Sequence, residues 1–428
     1  MQIAVIGLGY IGLPTAGMLA INEIPTLGVD VNPDVVQKVS QGKVHFFEPG
    51  IRTVISAAVT SGNLKVSNIL EPADFYFIAV PTPITKDKKA DLSYVKSAAQ
   101  MIAKVIQKGN TVILESTVPP GTTEDLVIPI LCESGLEYPT QFNVAHSPER
   151  VIPGRVIKEI IENDRIIGAN NYQTGLDVEK IYRSFVRGKI YHTDLKTAEF
   201  IKLIENSYRD VNIALANEIA RIAEDLEINA WQAIDMANQH PRVNILNPGP
   251  GVGGHCIPVD PWFIVEKHPE NARLIKQARQ INDDQPKRVC KRISELLDKT
   301  GNGPFKISIW GITYKANVED YRESPSLEII RELKKQKHIK TAVYDPMVRF
   351  LEEFEMTGMQ ESIKDSDLLV ILVGHDEFGF ADPGKIGHIM NSKFVFDCVN
   401  IIDEKKWEKS GFNIALLGRG NNHKESIR

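Results

Sequence analysis

The chain opens MQIAVIGLGYIGLPTAGMLA, which sets Gly7, Gly9 and Gly12 directly after an apolar run and directly before a helical pattern. Few local sequences restrict a fold so strongly. Gln2–Gly7 reads as a buried parallel strand and Leu13–Asn22 as the helix that follows it. Gly7 permits the tight turn, Gly9 lets the backbone approach a pyrophosphate, and Gly12 lets helix and strand pack closely. The N–H groups near Tyr10 and Ile11, at the helix N-terminus, suit the phosphates. GxGxxG alone is a weak signal, since glycines also serve plain βα turns. Here Thr26–Asp30 follows as a second strand, and Asp30 at its end suits both hydroxyls of an adenosine ribose. Its charge repels a 2′-phosphate, and Val31 and Asn32 bring no arginine to offset that. The pattern predicts NAD rather than NADP.

Buried-strand patterns recur at Phe75–Val80, Thr111–Glu115 and Asn143–His146, with helical patterns such as Tyr94–Gln107 between them. Strands alternating with helices predict an α/β fold built on a parallel sheet. From Leu195 to Leu226 the pattern turns helical, with Ile201, Ile204, Ala214, Leu215, Ile219, Ile222 and Leu226 at helical spacing. So long a helix suits a connector and a subunit interface; Trp231–Asn238 reads as a second short helix. Strand and helix then alternate again at Lys306–Gly311, Ser326–Lys335, Thr341–Asp345, Leu368–Val373 and Phe394–Asp397. The expectation is two Rossmann-like lobes with parallel sheets, joined by a long central helix. Its segments are a dinucleotide-binding domain at 1–195, a central helical domain at 196–300, an α/β domain at 301–418 and a flexible tail at 419–428.

Several segments carry chemistry. Thr82 in VPTP and Thr117 in ESTVPPGT follow predicted strands, where ligands bind in such sheets, although each alone is as readily a turn residue. Glu149 in HSPER suits orienting a water or acting as a base. Arg150 beside it, with Val151 next in line, suits phosphate or sugar oxygens; a surface salt bridge is the plainer reading. Lys202, Asn206 and Arg209 share one helix face at i, i+4 and i+7. They suit a diphosphate and an oxyanion, although most charged stripes are simply solvated.

The segment GPGVGGHCIPVDP holds Cys256 and, four residues on, Asp260. A lone cysteine is usually a small buried apolar residue. This one sits among Gly249, Gly251, Gly253 and Gly254, which permit close approach of a ligand, and prolines that stiffen the loop. A cysteine beside a nicotinamide suits oxidation past the aldehyde, through a thioester that water cleaves. His255 and Cys256 lack partners at a metal-ligand spacing, so no metal is expected. Tyr314, Lys315, Asp320 and Arg322 crowd GITYKANVEDYRESPS, which suits the nucleotide half of a substrate, whereas Ser324–Pro325 reads as a helix cap. The net charge of −5 gives no general attraction to nucleic acid or anionic membrane. Four cysteines without a framework spacing, and no long apolar run, fit a cytoplasmic protein.

Taken in order, GLGYIGLP, VPTP, ESTVPPGTT, SPER, EFIKLIENSYRDVNIALANE, GPGVGGHCIPVDP and KANVEDYRESPS resemble the UDP-glucose/GDP-mannose dehydrogenase family. The resemblance implies that Cys256 carries the thiohemiacetal and thioester, and that Lys202 and Asn206 polarise the sugar's 6-oxygen. It implies a water at Asp260, roles for Thr117 and Glu149 near hydride transfer and hydrolysis, and Arg322 at the cofactor. It also implies a homodimer on the long helix, with Arg242 reaching a neighbour's substrate. GGHC and the stretch QHPRVNIL are similar to the branch acting on UDP-N-acetylhexosamines, which makes His240 and Arg242 the specificity candidates. UDP-N-acetyl-D-mannosamine is the expected substrate, with UDP-N-acetyl-D-glucosamine as the alternative. Val399 and Asn400 stand where many relatives carry a basic residue. A two-electron 3-hydroxy-acid dehydrogenase is expected to lack the cysteine loop and last lobe. A non-catalytic nucleotide sensor is expected to have lost Cys256 or Lys202.

Overall fold

A computed structural model describes residues 1–299, 301 and 303–420. The chain divides into two compact units: Met1–Asn206 with Trp262–Asn271, and Ser207–Pro261 with the chain from Ala272 onward. The division falls inside one uninterrupted helix, Leu195–Asp225.

The first unit holds eight strands: β1 (Ile3–Ile6), β2 (Thr26–Val29), β3 (Leu64–Ser67), β4 (Phe75–Ile78), β5 (Thr111–Leu114), β6 (Asn143–His146), β7 (Arg165–Ala169) and β8 (Ile190–Thr193). They form one sheet in the order β3-β2-β1-β4-β5-β6-β7-β8. The order reverses beside β1, so the turn after β1 opens at the topological switch point, where such sheets bind ligands. Side chains alternate between two cores because strand residues alternate faces. Ile3, Val5, Phe77, Ile113 and Ala145 pack on one face, and Ala4, Ile6, Tyr76, Ile78, Val112 and Leu114 on the other. Burial on both faces accounts for the unbroken apolar runs in β1, β4 and β5. One pair departs from the expected parallel pattern: β7 runs antiparallel to β6, pairing Ala145 with Ala169 and His146 with Gly168. The start of β7 therefore lies at the carboxyl end of β6.

The second unit carries an all-parallel sheet of β9 (Phe305–Trp310), β10 (Ile339–Tyr344), β11 (Leu368–Ile371), β12 (Phe394–Asp397) and β13 (Asn413–Leu416), in the order β10-β9-β11-β12-β13. Ile307, Ile309, Leu368 and Val370 face the helices Gln285–Asp298 and Pro325–Lys334, while Trp310, Leu369, Ile371 and Val395 face Phe378 and Trp407. Ser324 accepts the Ser326 N–H and Pro325 opens the helix, as a cap should.

The central helix starts on Asp194, which accepts the Thr197 N–H at 2.9 Å and the Thr197 hydroxyl at 2.6 Å. At 1.5 Å per residue its 31 residues extend for about 46 Å. Of the expected flexible tail, Arg419 pairs with Glu404 and the Gly420 N–H reaches the Ile228 carbonyl at 3.1 Å. Its remainder, 421–428, lies outside the described residues. No helix among the described residues is long and apolar enough to cross a membrane.

Candidate active site

The glycine turn divides its work as its spacing predicts. Gly7 has φ 91°, and a Cβ there would sit 2.6 Å from the Ala79 carbonyl oxygen. A Cβ on Gly12 would run into the Gly7 carbonyl oxygen. Around Gly9 nothing lies within 4 Å of the corresponding position, so the turn leaves open space at one glycine only. Ile11, at the N-cap of helix Gly12–Ile21, contributes no capping side chain. Asp30 accepts the Leu8 N–H at 2.9 Å and the Asn32 N–H at 2.8 Å, which fixes its carboxylate at the end of β2. Val31 and Asn32 are exposed and uncharged. An open, uncapped helix start beside a fixed carboxylate fits a dinucleotide. The Tyr10 hydroxyl donates to Glu48 at 2.5 Å. Glu48 in turn accepts the N–H groups of Gly154 and Val156, both at 2.8 Å, just after Arg150 and Val151.

The loops after β4 and β5 are bonded together. Thr82 donates to the Thr117 carbonyl and Ser116 to the Val80 carbonyl, each at 2.7 Å. Glu199 on the central helix accepts the Gly121 N–H at 2.5 Å, the Thr123 N–H at 2.8 Å and the Thr123 hydroxyl at 2.6 Å. It lies one turn before Lys202, which is buried, as is Asn206 one turn further on. The solvated-stripe reading therefore fails for these two. Arg150 forms two bonds to Glu205, at 2.7 and 3.1 Å, and a third to the Asp164 carbonyl at 3.0 Å. The plainer salt-bridge reading of Arg150 thus holds in part, and any ligand oxygen it takes shares the guanidinium with Glu205.

Glu149 is buried and pairs with Arg165 at 2.6 Å, while its other oxygen accepts the Arg150 N–H at 2.7 Å. Arg165 also lies 3.5 Å from Glu115 and stacks 4.1 Å from the centre of the Tyr182 ring. Glu115 accepts Tyr182 at 2.7 Å and Thr15 at 3.3 Å. Burial outweighs the Arg165 charge and pushes the Glu115 carboxyl up to about 7. His146 is fully enclosed, which pushes its imidazole down to about 3 and leaves it neutral.

In the second unit Cys256 is exposed. Its carbonyl accepts the Asp260 N–H at 2.8 Å and the Val259 N–H at 3.0 Å, so the cysteine sits on the turn that starts helix Asp260–Lys267. Asp260 is buried. Of the four glycines before it, Gly249 has nothing within 4 Å of a Cβ position, while the other three lie against protein atoms. A Cβ on Gly253 would lie 2.7 Å from the Glu323 carbonyl oxygen, and one on Gly251 2.7 Å from Pro325. Gly254, at φ 88°, lies against the Tyr314 ring. The cysteine loop is thereby seated on the segment with Tyr314, Lys315 and Arg322. Tyr314 is half-buried and Lys315 exposed. Arg322 makes a two-pronged pair with Asp320 at 2.7 and 2.8 Å, and His255 is 4.0 Å from the same carboxylate. Burial and the Arg322 charge lower the His255 pKa against the opposing pull of Asp320.

Three asparagines hold the stretch before the loop by imitating backbone. Asn212 bonds the Asn244 carbonyl and the Leu246 N–H, Asn238 bonds both backbone groups of Ile245, and Asn217 accepts the Gly249 N–H, all at 2.8–2.9 Å. His240 and Arg242 stay exposed, joined only by long contacts of 3.4 and 3.5 Å. Arg209 is half-buried on the central helix beside Asp210, which pairs with Arg279. Sequence reasoning missed Glu48, Glu115, Arg165, Glu199 and these asparagines. Glu115 and Glu149 at two strand ends were a usable signal; nothing local marks the asparagines.

Three family models match the chain: the UDP-glucose/GDP-mannose dehydrogenase NAD binding domain over residues 1–186, the central domain over 196–284 and the UDP binding domain over 308–404. A UDP-N-acetyl-D-mannosamine dehydrogenase of Methanococcus maripaludis is 47% identical, over 98% of this chain and 97% of its own length. An NDP-N-acetyl-D-galactosaminuronic acid dehydrogenase of Ralstonia solanacearum is 44% identical, over 90% of this chain and 93% of its own. Among solved structures, the UDP-D-ManNAc dehydrogenase of Pyrococcus horikoshii superimposes with TM-score 0.92 at 40% identity, covering 98% of this chain and all of the other.

Proposed function

The chain belongs to the UDP-glucose/GDP-mannose dehydrogenase family and uses NAD, and from that premise we propose that it oxidises the 6-hydroxyl of UDP-N-acetyl-D-mannosamine to a carboxylate. Two NAD and one water are consumed per sugar. The observation that carries this reading is Cys256, an exposed thiol on a loop braced by Tyr314, Glu323 and Pro325. An alcohol-to-aldehyde oxidation has no use for such a nucleophile. The choice of sugar rests on the names of the M. maripaludis and P. horikoshii relatives, together with His255 and the exposed His240 and Arg242.

NAD, when bound at Gly7, Gly9, Tyr10, Ile11, Gly12 and Asp30, supplies the hydride acceptor for both oxidations; Thr82, Thr117 and Arg322 are its further contacts. Lys202 and Asn206 hold the 6-oxygen and stabilise the negative charge that grows on it. The Cys256 thiolate adds to the aldehyde carbon, and loss of a second hydride leaves a thioester. Glu149 and Asp260 orient the water that cleaves it, and the C–S bond breaks with its electron pair on sulfur. Arg150, Val151, Arg209, Gly253, Tyr314 and Lys315 receive the nucleotide and sugar, with His240 and Arg242 setting specificity.

The apolar residues exposed along the central helix, among them Phe200, Ile204, Leu215 and Ile222, support a homodimer through it. The exposed thiol of Cys256 supports the cytoplasm, where thiols stay reduced. A panel of UDP-sugars read by NADH formation tests the substrate. UDP-N-acetyl-D-mannosamine is expected to give a kcat/KM about tenfold or more above UDP-N-acetyl-D-glucosamine, UDP-N-acetyl-D-galactosamine and UDP-glucose. Preference for any of the others overturns the assignment.

A further inference from the structure

We propose that Arg165 is a positioning residue for thioester hydrolysis, acting through Glu149; this rests on the role given to Glu149 above. A parallel strand at the seventh place would start at the far end of the sheet from the ligand loops. Because β7 is antiparallel to β6, its first residue, Arg165, lies at the carboxyl end of β6, where Glu149 follows. The reversal brings a guanidinium to the end of the sheet where ligands bind.

Arg165 is 4% exposed and Glu149 8%, and they meet at 2.6 Å. The Arg165 backbone is anchored through its N–H to the Lys189 carbonyl at 2.8 Å. Its side chain is sandwiched against Tyr182 and lies near Ser147 at 3.4 Å and Glu115 at 3.5 Å. The guanidinium has no freedom to follow a moving partner, so it fixes where one Glu149 oxygen points. The Arg150 N–H fixes the other. A carboxylate held at both oxygens keeps its remaining lone pairs in set directions, as orienting a water requires. A mere staple of the fold would not need to grip a side chain that the reaction uses.

In the step concerned, the water oxygen bonds to the acyl carbon and the C–S bond breaks, leaving its electron pair on the Cys256 sulfur. The sugar leaves as its carboxylate, and the two protons of water pass to solvent. The first oxidation does not involve this water. Arg165 should therefore matter to hydrolysis and not to the first hydride.

The test follows NADH and the enzyme's intact mass through a single turnover with NAD and UDP-N-acetyl-D-mannosamine. Arg165→Lys keeps the charge and loses the planar fork. It is expected to form its first NADH within about twofold of the wild-type rate, to hydrolyse about tenfold or more slowly, and to accumulate sugar covalently on Cys256. Glu149→Gln should accumulate the same adduct. If Glu149→Gln does not, the role of Glu149 falls and takes this proposal with it. If Glu149→Gln accumulates adduct and Arg165→Lys does not, only the proposal falls. Equal slowing of both phases in Arg165→Lys shows a staple and also overturns it. Should circular dichroism show Arg165→Lys unfolded, Arg165→Met/Glu115→Gln, which removes opposite charges together, carries the same expectation. Failure of both to fold marks Arg165 as structural alone and overturns the proposal.

Discussion

The Glu199 carboxylate accepts both the N–H and the hydroxyl of Thr123, at 2.8 and 2.6 Å. The bond ties the loop after β5, which carries Thr117, to the helix that carries Lys202. Both carboxylate oxygens act as acceptors here, since the second takes the Gly121 N–H. Glu199→Gln should therefore be nearly as harmful as Glu199→Ala, because an amide nitrogen would face a donor. Each is expected to cost about 1–3 kcal/mol of stability by leaving buried donors unmatched. Urea unfolding checks it; a Gln variant as stable as the wild type would show that the acceptor pair is dispensable.

Gly9 and Gly12 should separate binding from folding. A Cβ at Gly9 meets nothing of the protein, whereas one at Gly12 meets the Gly7 carbonyl. Gly9→Ala is expected to melt within a few degrees of the wild type and to bind NAD about tenfold or more weakly, since the methyl fills the space left for the pyrophosphate. Gly12→Ala is expected to lose stability outright. Thermal melts with and without NAD distinguish the two.

Much of the fold was legible because a doubly wound sheet writes itself locally. Ile3–Ile6, Phe75–Ile78 and Val112–Leu114 are unbroken apolar runs, and the glycine turn names its own position in the sheet. What escaped depends on partners distant in sequence. Nothing in RIIGA says that β7 is reversed, and that reversal is what brings Arg165 beside Glu149. The division at Asn206 leaves no trace because helical periodicity runs straight through it. The glycines before Cys256 were read as room for a ligand. Gly251, Gly253 and Gly254 also make room for Pro325, the Glu323 backbone and the Tyr314 ring, a packing role that nothing local announces.

Glu115 sets a pH dependence of stability. Burial holds its carboxyl at about 7 in the folded chain, above the value of 4.5 for an exposed glutamate. The folded state thus binds the extra proton between these values, and stability falls as pH rises from about 4.5 to about 7. The loss attributable to this group is on the order of 3 kcal/mol. Glu115→Gln keeps the oxygen that accepts Tyr182 and removes the titration. Denaturant unfolding across that range should show a flatter pH profile for the variant; an unchanged profile would place the titration elsewhere.

In the proposed reaction Cys256 takes the oxidation past the aldehyde. Counting NADH per sugar in Cys256→Ser, while searching the wild-type enzyme for a covalent adduct by intact mass, tests this. Two NADH per sugar and an adduct on Cys256 are expected in the wild type. In Cys256→Ser steady turnover to the acid is expected to fall by about a thousandfold or more. Release of two NADH per sugar by Cys256→Ser at the ordinary rate would contradict it.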